Sequence, residues 1–232
     1  MDLDAFADKN PGKLIAQIDG SVGRSDLFLF IGDALPKPMK RQWPYYPLNV
    51  AGTFRGNMQQ ASFSGLKVNL PTAFQLSADG ELANMMDMSR LKANVNLKAR
   101  TYHLGFVTAM LDPSLMRDIR IPSGIGIQGN IQANGSKYAT KLAVTEGKGS
   151  VKLDAKVDAK MRKDGSFDMN SLAYQAKVQA RNVQAKHFLP KQDLYTFTGN
   201  LEAKGVGVDM LSPRTRLQAK AKVNHVHYGK YK

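Results

Sequence analysis

Apolar and polar residues alternate strictly along most of this chain. The clearest segment is GSVKLDAKVDAKMRKDGSF, which starts at Gly149. Apolar residues fill every second position of it: Val151, Leu153, Ala155, Val157, Ala159 and Met161. A two-residue period predicts a β-strand with one dry face and one wet face, about 40 Å long at about 3.3 Å per residue. The dry face of this strand contains small residues where a closed core would hold large ones.

The same alternation predicts strands over most of the chain. Before the segment at Gly149 they cover 14–18, 26–31, 48–54, 61–70, 74–82, 91–102, 125–133 and 139–144, and after it 172–183, 196–203 and 214–226. Asn134–Gly135 and Asp164–Gly165 are typical of tight hairpin turns. Short helical turns are predicted at 106–116 and 185–189. The sequence therefore predicts an all-β fold, an elongated, curved, antiparallel-rich sheet with one or two short helical turns.

Internal repeats indicate how the sheet is built. The segment MSRLKANVNLKARTYHLGFV at 88–107 aligns with MNSLAYQAKVQARNVQAKHF at 169–188, and each copy is a strand followed by a short apolar turn. GNIQANG at 129–135 and GNLEAKG at 199–205 form a second matched pair. We therefore expect one elongated β-repeat region over 1–232, with units at about 88–168 and 169–232. The second unit is incomplete, which predicts a fragment of a longer chain.

Charge and composition narrow the possible partners. The net charge is +14, but most lysines in the second half alternate with apolar residues along predicted strands, which is typical of a solvated face. Because no aromatic residues interleave with these lysines, nucleic-acid binding is not expected. The chain has no cysteine, which excludes disulfides and thiolate metal sites. The N-terminal residues have no secretory signal pattern, and no apolar run is long enough to span a bilayer.

Motifs for catalysis, cofactors or metals are weak. GIGIQG at 124–129 matches a dinucleotide fingerprint, but strand-like sequence follows it where that motif requires a helix. His225 and His227 would share one face of a strand, and two histidines do not complete a metal site. The sequence has no paired carboxylates and no nucleophile–histidine arrangement. We therefore predict no enzyme activity, no cofactor and no metal.

The segment PKPMKRQWPYYP, from Pro36 to Pro47, has the only tryptophan, two tyrosines and three cations among four prolines. Tryptophan and tyrosine suit a boundary with one wet side, which favours an interfacial or partner-binding loop. A proline-braced loop that packs over the sheet is an equally good interpretation.

The order of motifs over 91–232 closely resembles the repetitive part of TamB-type translocation and assembly proteins of the AsmA-like superfamily. The resemblance is carried by QAKVQARNVQAKHFLP followed by LYTFTGNLEAKGVGVDMLSPRTRLQAKAKVNHVHYGKYK. It implies a U-shaped sheet with an apolar groove, called a β-taco, in a long periplasmic protein. It further implies an inner-membrane anchor, absent from this sequence, and a TamA-like outer-membrane barrel as partner. Related proteins are thought to move phospholipid between the two membranes.

On this interpretation the dry face lines a groove for phospholipid acyl chains. The predicted lining is Val151, Leu153, Ala155, Val157, Ala159 and Met161 on one strand, and Leu217, Ala219, Ala221 and Val223 on another. Alanine leaves space, and apolar lining gains about 0.8 kcal/mol for each CH₂ that it buries. Two alternatives remain open: a scaffold for outer-membrane protein assembly through sheet-edge pairing, and a passive structural β-array.

Overall fold

Eleven antiparallel strands form one open sheet in which the spatial order equals the sequence order. The computed structural model describes residues 12–57, 59–85, 87–111, 113–160, 162, 167–209 and 212–231. The strands are β1 (Leu14–Val22), β2 (Leu48–Gly56), β3 (Gln60–Leu70), β4 (Phe74–Ala83), β5 (Lys92–Thr101), β6 (Gly126–Asn134), β7 (Lys137–Glu146), β8 (Gly149–Asp158), β9 (Ala173–Gln184), β10 (Leu194–Val206) and β11 (Arg216–Tyr228). The predicted all-β, curved antiparallel fold is confirmed.

The described helices are short and lie in three connections. They are α1 (Arg24–Ile31), α2 (Lys37–Gln42), α3 (Gly105–Thr108), α4 (Pro113–Met116) and α5 (Ala185–Phe188), with a 3₁₀ turn at Gly32–Ala34. The helical turns predicted at 106–116 and 185–189 correspond to α3, α4 and α5. Because antiparallel strands alternate in direction, all five helices fall at the same end of the sheet, which we call the helix end. The opposite end, which we call the hairpin end, contains the β2–β3, β4–β5, β6–β7, β8–β9 and β10–β11 connections.

The sheet bends through local irregularities in its hydrogen-bond register. Register shifts interrupt the β2–β3, β3–β4, β9–β10 and β10–β11 pairings. Such bulges bend a strand and increase its twist. Gly129, inside β6, has a φ of 155°, and a Cβ there would overlap the Lys141 carbonyl of β7. Glycine is required at this position because two backbones approach closely.

A small apolar cluster closes the helix end beside β1 to β4. Its buried residues are Leu27, Trp43, Leu70, Ala73 and Phe106, and α1, the segment after α2, and α3 each contribute to it. The Trp43 ring packs edge to face on the Phe106 ring, with 4.9 Å between the centroids. The first α-helices are therefore held by aromatic packing onto the ends of the first strands.

One prediction in this region is wrong, and the structure adds a helix to a second. Residues 26–31, predicted as a strand, form most of α1, because Leu27 turns into the apolar cluster and the short run LFLFI has no two-residue period. The Pro36–Pro47 segment contains α2, whose first turn holds a proline, where the missing N–H costs nothing. Trp43 is buried in the cluster while Tyr45 is 87% exposed, so this segment both packs over the sheet and presents an aromatic residue to solvent.

The strand predicted from Gly149 is shorter than its alternation indicates. β8 ends at Asp158 after ten residues. The N–H of Ala159 donates to the Ser136 carbonyl in the β6–β7 turn, and Ala159 is buried. The Asn134–Gly135 turn joins β6 to β7, with Gly135 at a φ of 58°. The predicted turn at Asp164–Gly165 and the predicted site residue Met161 lie outside the described residues.

The molecule exposes far more surface than a compact chain of its mass. Its accessible surface is 15880 Å², against about 10,000 Å² for a compact monomer of this size. This excess follows from a single open sheet, because few of its side chains have a second layer to pack against.

Candidate functional site

One face of the sheet is apolar from the first strand to the last. Side chains alternate between the two faces of a strand, so the register of each strand pair identifies which residues are neighbours on one face. Four rows of cross-strand neighbours cross all eleven strands on this side. We call these rows 1 to 4, counted from the hairpin end, and together the apolar face.

Rows 1 and 2 lie nearest the hairpin end. Row 1 is Leu14, Gly56, Ala61, Leu82, Ala93, Ala133, Tyr138, Val157, Tyr174, Gly205 and Leu217. Row 2 is Ala16, Phe54, Phe63, Gly80, Val95, Ile131, Thr140, Ala155, Ala176, Ala203 and Ala219.

Rows 3 and 4 lie toward the helix end. Row 3 is Ile18, Gly52, Leu66, Ala78, Leu97, Gly129, Leu142, Leu153, Val178, Leu201 and Ala221, with Gly52 placed beside Leu66 by the close approach of their backbones. Row 4 is Gly20, Val50, Val68, Leu76, Ala99, Ile127, Val144, Val151, Ala180, Gly199 and Val223.

No residue of these four rows carries a charge. Thr140, Tyr138 and Tyr174 are the only members with a polar side-chain group. The opposite face is polar: the row between rows 3 and 4 reads Asp19, Ala51, Lys67, Ser77, Lys98, Gln128, Ala143, Lys152, Gln179, Asn200 and Lys222. The +14 net charge therefore lies off the apolar face wherever the four rows run.

The apolar face is open to solvent well inside the sheet. Ile131, in the sixth of eleven strands, is 40% exposed, and Leu201 in β10 is 41% exposed. The terminal strands expose more, with Leu217 at 49% and Val223 at 58%. A contiguous exposed apolar surface of this extent is typical of a binding surface and not of a monomer's ordinary exterior.

The structure brings the two predicted groups of lining residues into register. Each of the four β8 residues shares a row with one of the four β11 residues, with β9 and β10 between them. The four pairs are Val157 with Leu217 in row 1, Ala155 with Ala219 in row 2, Leu153 with Ala221 in row 3, and Val151 with Val223 in row 4. Ala159 lies just beyond the end of β8, outside the rows.

The predicted list omitted most of the face, because alternation within one strand does not reveal which strands share a face. In row 2, β2 and β3 contribute the large side chains Phe54 and Phe63. The same position in β8 to β11 is alanine four times in succession. Apolar alternation is present in the sequence of every strand. Which residues of neighbouring strands share a row, however, depends on turn lengths and bulges.

Other motifs have ordinary structural surroundings. Gly126 of GIGIQG starts β6, and the chain continues as strand where a dinucleotide site needs a helix. The His227 ring stacks on the Tyr195 ring, with 4.8 Å between the centroids. Among the described residues, no group of three or more His, Cys, Asp or Glu side chains is placed to hold a metal. None of the described helices is both long and apolar enough to cross a membrane.

Comparison with known proteins adds no assignment to this geometry. No protein-family model, no curated protein and no solved structure matches the chain. The resemblance to TamB-type proteins therefore stays a prediction from the sequence.

Proposed function

We propose that the apolar face binds phospholipid acyl chains and lets them move across the strands. The observation that carries this proposal is the absence of charge from four adjacent rows over eleven strands. At about 4.8 Å between strands, the face is about 50 Å wide in the direction that crosses them. That exceeds the length of an acyl chain, so a lipid has more than one equivalent position.

The small side chains of row 2 in β8 to β11 support movement over fixed binding. A specific pocket holds its ligand with a few well-placed polar groups and a matched shape. Polar groups and a matched shape are both missing at Ala155, Ala176 and Ala203. Each CH₂ of an acyl chain that is buried there contributes about 0.8 kcal/mol, whatever its position. Uniform lining gives affinity with little preference for position, which is what transport along a surface requires.

On the same proposal, the chain is part of a periplasmic bridge from the inner to the outer membrane that supports outer-membrane biogenesis. This rests on the resemblance described above, as do the inner-membrane anchor and the TamA-like partner. The apolar face agrees with the groove that such a bridge needs.

Sheet-edge pairing is the second candidate function, and one observation favours it. β11 has thirteen residues, and its first ten, Arg216 to His225, are all exposed. An edge strand of this length can add a strand from another protein, as an assembly scaffold would. Unlike lipid binding, strand addition depends on the backbone edge of β11 and not on row 2 in β8.

Photo-crosslinking in cells separates these functions. A photoreactive residue replaces Ala155, on the apolar face, and a matched one replaces Lys152, on the polar face of the same strand. We expect phospholipid to be captured at position 155 and not at position 152. Equal capture at both positions, or none at 155 in a folded protein, would contradict the proposal. Capture of a protein strand by a residue in β11 without lipid at 155 favours the scaffold, and no capture at any of these positions favours a passive array.

A further inference from the structure

A large cavity lies at the hairpin end, where cations and amides border the apolar face. Its volume is about 1140 Å³, and its lining runs from Lys13 to Gln175 over the ends of β2 to β9. Eight consecutive members of row 1, from Gly56 to Tyr174, contribute to the lining. The remaining lining residues precede or follow these along each strand. One cavity is thus lined both by this apolar strip and by the polar residues next to it in sequence, whose side chains alternate with it between the two faces at the end of the sheet.

The polar part of the lining is cationic. It holds five basic residues, Lys13, Arg55, Lys92, Lys137 and Lys156, against two acidic ones, Glu81 and Asp158. Six amide side chains, from Asn57 to Gln175, complete it. None of the five cations forms an ion pair with a described residue, whereas Lys141, Lys177, Lys186 and Lys191 elsewhere on the sheet do. The excess positive charge in the cavity is therefore not neutralised by the fold.

The register concentrates three donors at one point. Lys92 of β5 faces Asn134 of β6, and Asn134 faces Lys137 of β7. The two lysines are thus two strands apart, about 10 Å between backbones, with an amide between them. Lysine side chains are long and flexible, so two ammonium groups can converge on one anion at this spacing. On the far side of Lys137, the Asp158 carboxylate accepts a hydrogen bond from Ser136 Oγ at 2.7 Å.

We infer that this cavity binds the phosphate of an anionic amphiphile, with Lys92 and Lys137 as its principal ligands. Phosphate has the charge and the acceptor oxygens for ammonium and amide donors. The adjoining row 1 places apolar surface beside the phosphate, where acyl chains attach. The inference rests on the proposed function for the lipid as the source of the phosphate, while the cationic lining would equally attract a soluble phosphate ester.

Isothermal titration calorimetry on the full chain separates these sources. The ligands are dihexanoyl phosphatidylglycerol, dihexanoylglycerol with the same chains and no phosphate, and glycerol phosphate with no chains. We expect the phospholipid to bind about tenfold more tightly than dihexanoylglycerol, and glycerol phosphate to bind far more weakly than both. Equal binding of the two lipids contradicts the phosphate site. Binding of glycerol phosphate as tight as that of the phospholipid contradicts a lipid as the source. Failure of the protein to bind either lipid contradicts the proposed function itself.

Charge reversal then locates the site. Lys92→Glu with Lys137→Glu should abolish the tenfold preference for phosphatidylglycerol and leave dihexanoylglycerol binding unchanged, which also reports that the variant is folded. The matched control is Lys98→Glu with Lys148→Glu, which changes the net charge equally at exposed lysines outside the cavity. The control should keep the preference. An equal loss in both variants would show general attraction to a basic protein and overturn the site. If the first variant does not fold, Lys92→Met with Lys137→Met replaces it, with the same expected loss.

Discussion

The two ends of the sheet differ in how far their apolar residues are covered. At the helix end, the ends of β1 to β4 are covered by α1, α3 and Trp43, so that Leu70 and Ala73 are fully buried. Four rows nearer the hairpin end have equally apolar residues, but Ile131 and Leu201 stay about 40% exposed. The chain can therefore cover an apolar surface with its own helices, and it does so only where large aromatic side chains anchor them. We therefore interpret the uncovered rows, which form the apolar face, as a surface that is exposed for binding.

The difference in burial is tested most strongly by placing one charged residue in the covered cluster and one on the apolar face. Ala73→Arg puts a cation in a site with no exposed surface, and an unpaired buried charge costs several kcal/mol, so we expect an unfolded or strongly destabilised protein. Ala155→Arg should cost at most about 1 kcal/mol, because its guanidinium can reach water over the open face. Thermal unfolding followed by circular dichroism measures both. Equal destabilisation would show that the apolar face is a closed core.

Removing the aromatic anchor tests the helix end alone. Trp43→Ala should lower the free energy of unfolding by about 3–5 kcal/mol, because it empties the space between the Phe28 and Phe106 rings. Tyr45→Ala is the control: the ring is 87% exposed and contacts the Arg24 guanidinium, so its loss should cost about 0.5–1 kcal/mol. Chemical denaturation gives both values, and a Trp43→Ala cost no larger than that of the control would mean that the helices need no anchor.

The strand positions and the apolar alternation were accessible from the sequence. Every described strand except β1 was predicted to within about three residues at each end, since alternation is a local property. β1 extends four residues beyond its prediction, through Gly20, and β8 stops three residues short. The strand predicted at residues 26–31 was wrong because five consecutive apolar residues, LFLFI, have no period that separates helix from strand. The α2 helix carried a usable signal, a proline in its first turn and Lys40 and Arg41 in its last.

The site was only partly predictable, because rows are a property of pairing. Val151 and Val223 share row 4 through a bulge at Thr198/Gly199 and the lengths of three connections, none of which alternation specifies. The cavity at the hairpin end also depends on strand pairing. Lys92 and Lys137 are 45 positions apart in sequence, and only the register places both beside Asn134.

Glycines on the apolar face allow a finer test of how the rows are held together. Gly129→Ala should cost about 1–3 kcal/mol, since the new Cβ would overlap the Lys141 carbonyl and the φ of 155° disfavours alanine. Gly20, in row 4 of the edge strand β1, has no atom near the position of a Cβ. Gly20→Ala should therefore be neutral or stabilising by up to about 1 kcal/mol. Differential scanning calorimetry compares the two, and similar effects would show that the close approach at Gly129 is relaxed in solution.

The smallest expected effect lies in the β4–β5 connection at the hairpin end, which is held by polar contacts. Hydrogen bonds from Ser89 Oγ and from Arg90 Nε, both at 2.6 Å, lower the pKa of Asp87 to about 2. Because the folded-state pKa lies below the usual 3.8, this contribution to stability is fully present above pH 3.8 and is lost as the pH falls toward 2. A carboxyl NMR titration should show it, and Asp87→Asn should remove that part of the acid response. A titration at the ordinary value would mean that these contacts do not persist.

Native mass spectrometry of the gently purified protein tests the central claim most directly. The wild-type chain should carry phospholipid, and the doubly substituted Ala155→Arg, Ala219→Arg chain should lose most of it while its thermal unfolding changes little. Those two alanines share row 2, so the paired charges cross the apolar face in one line. A folded wild-type protein without lipid, or equal lipid on both proteins, would contradict the account.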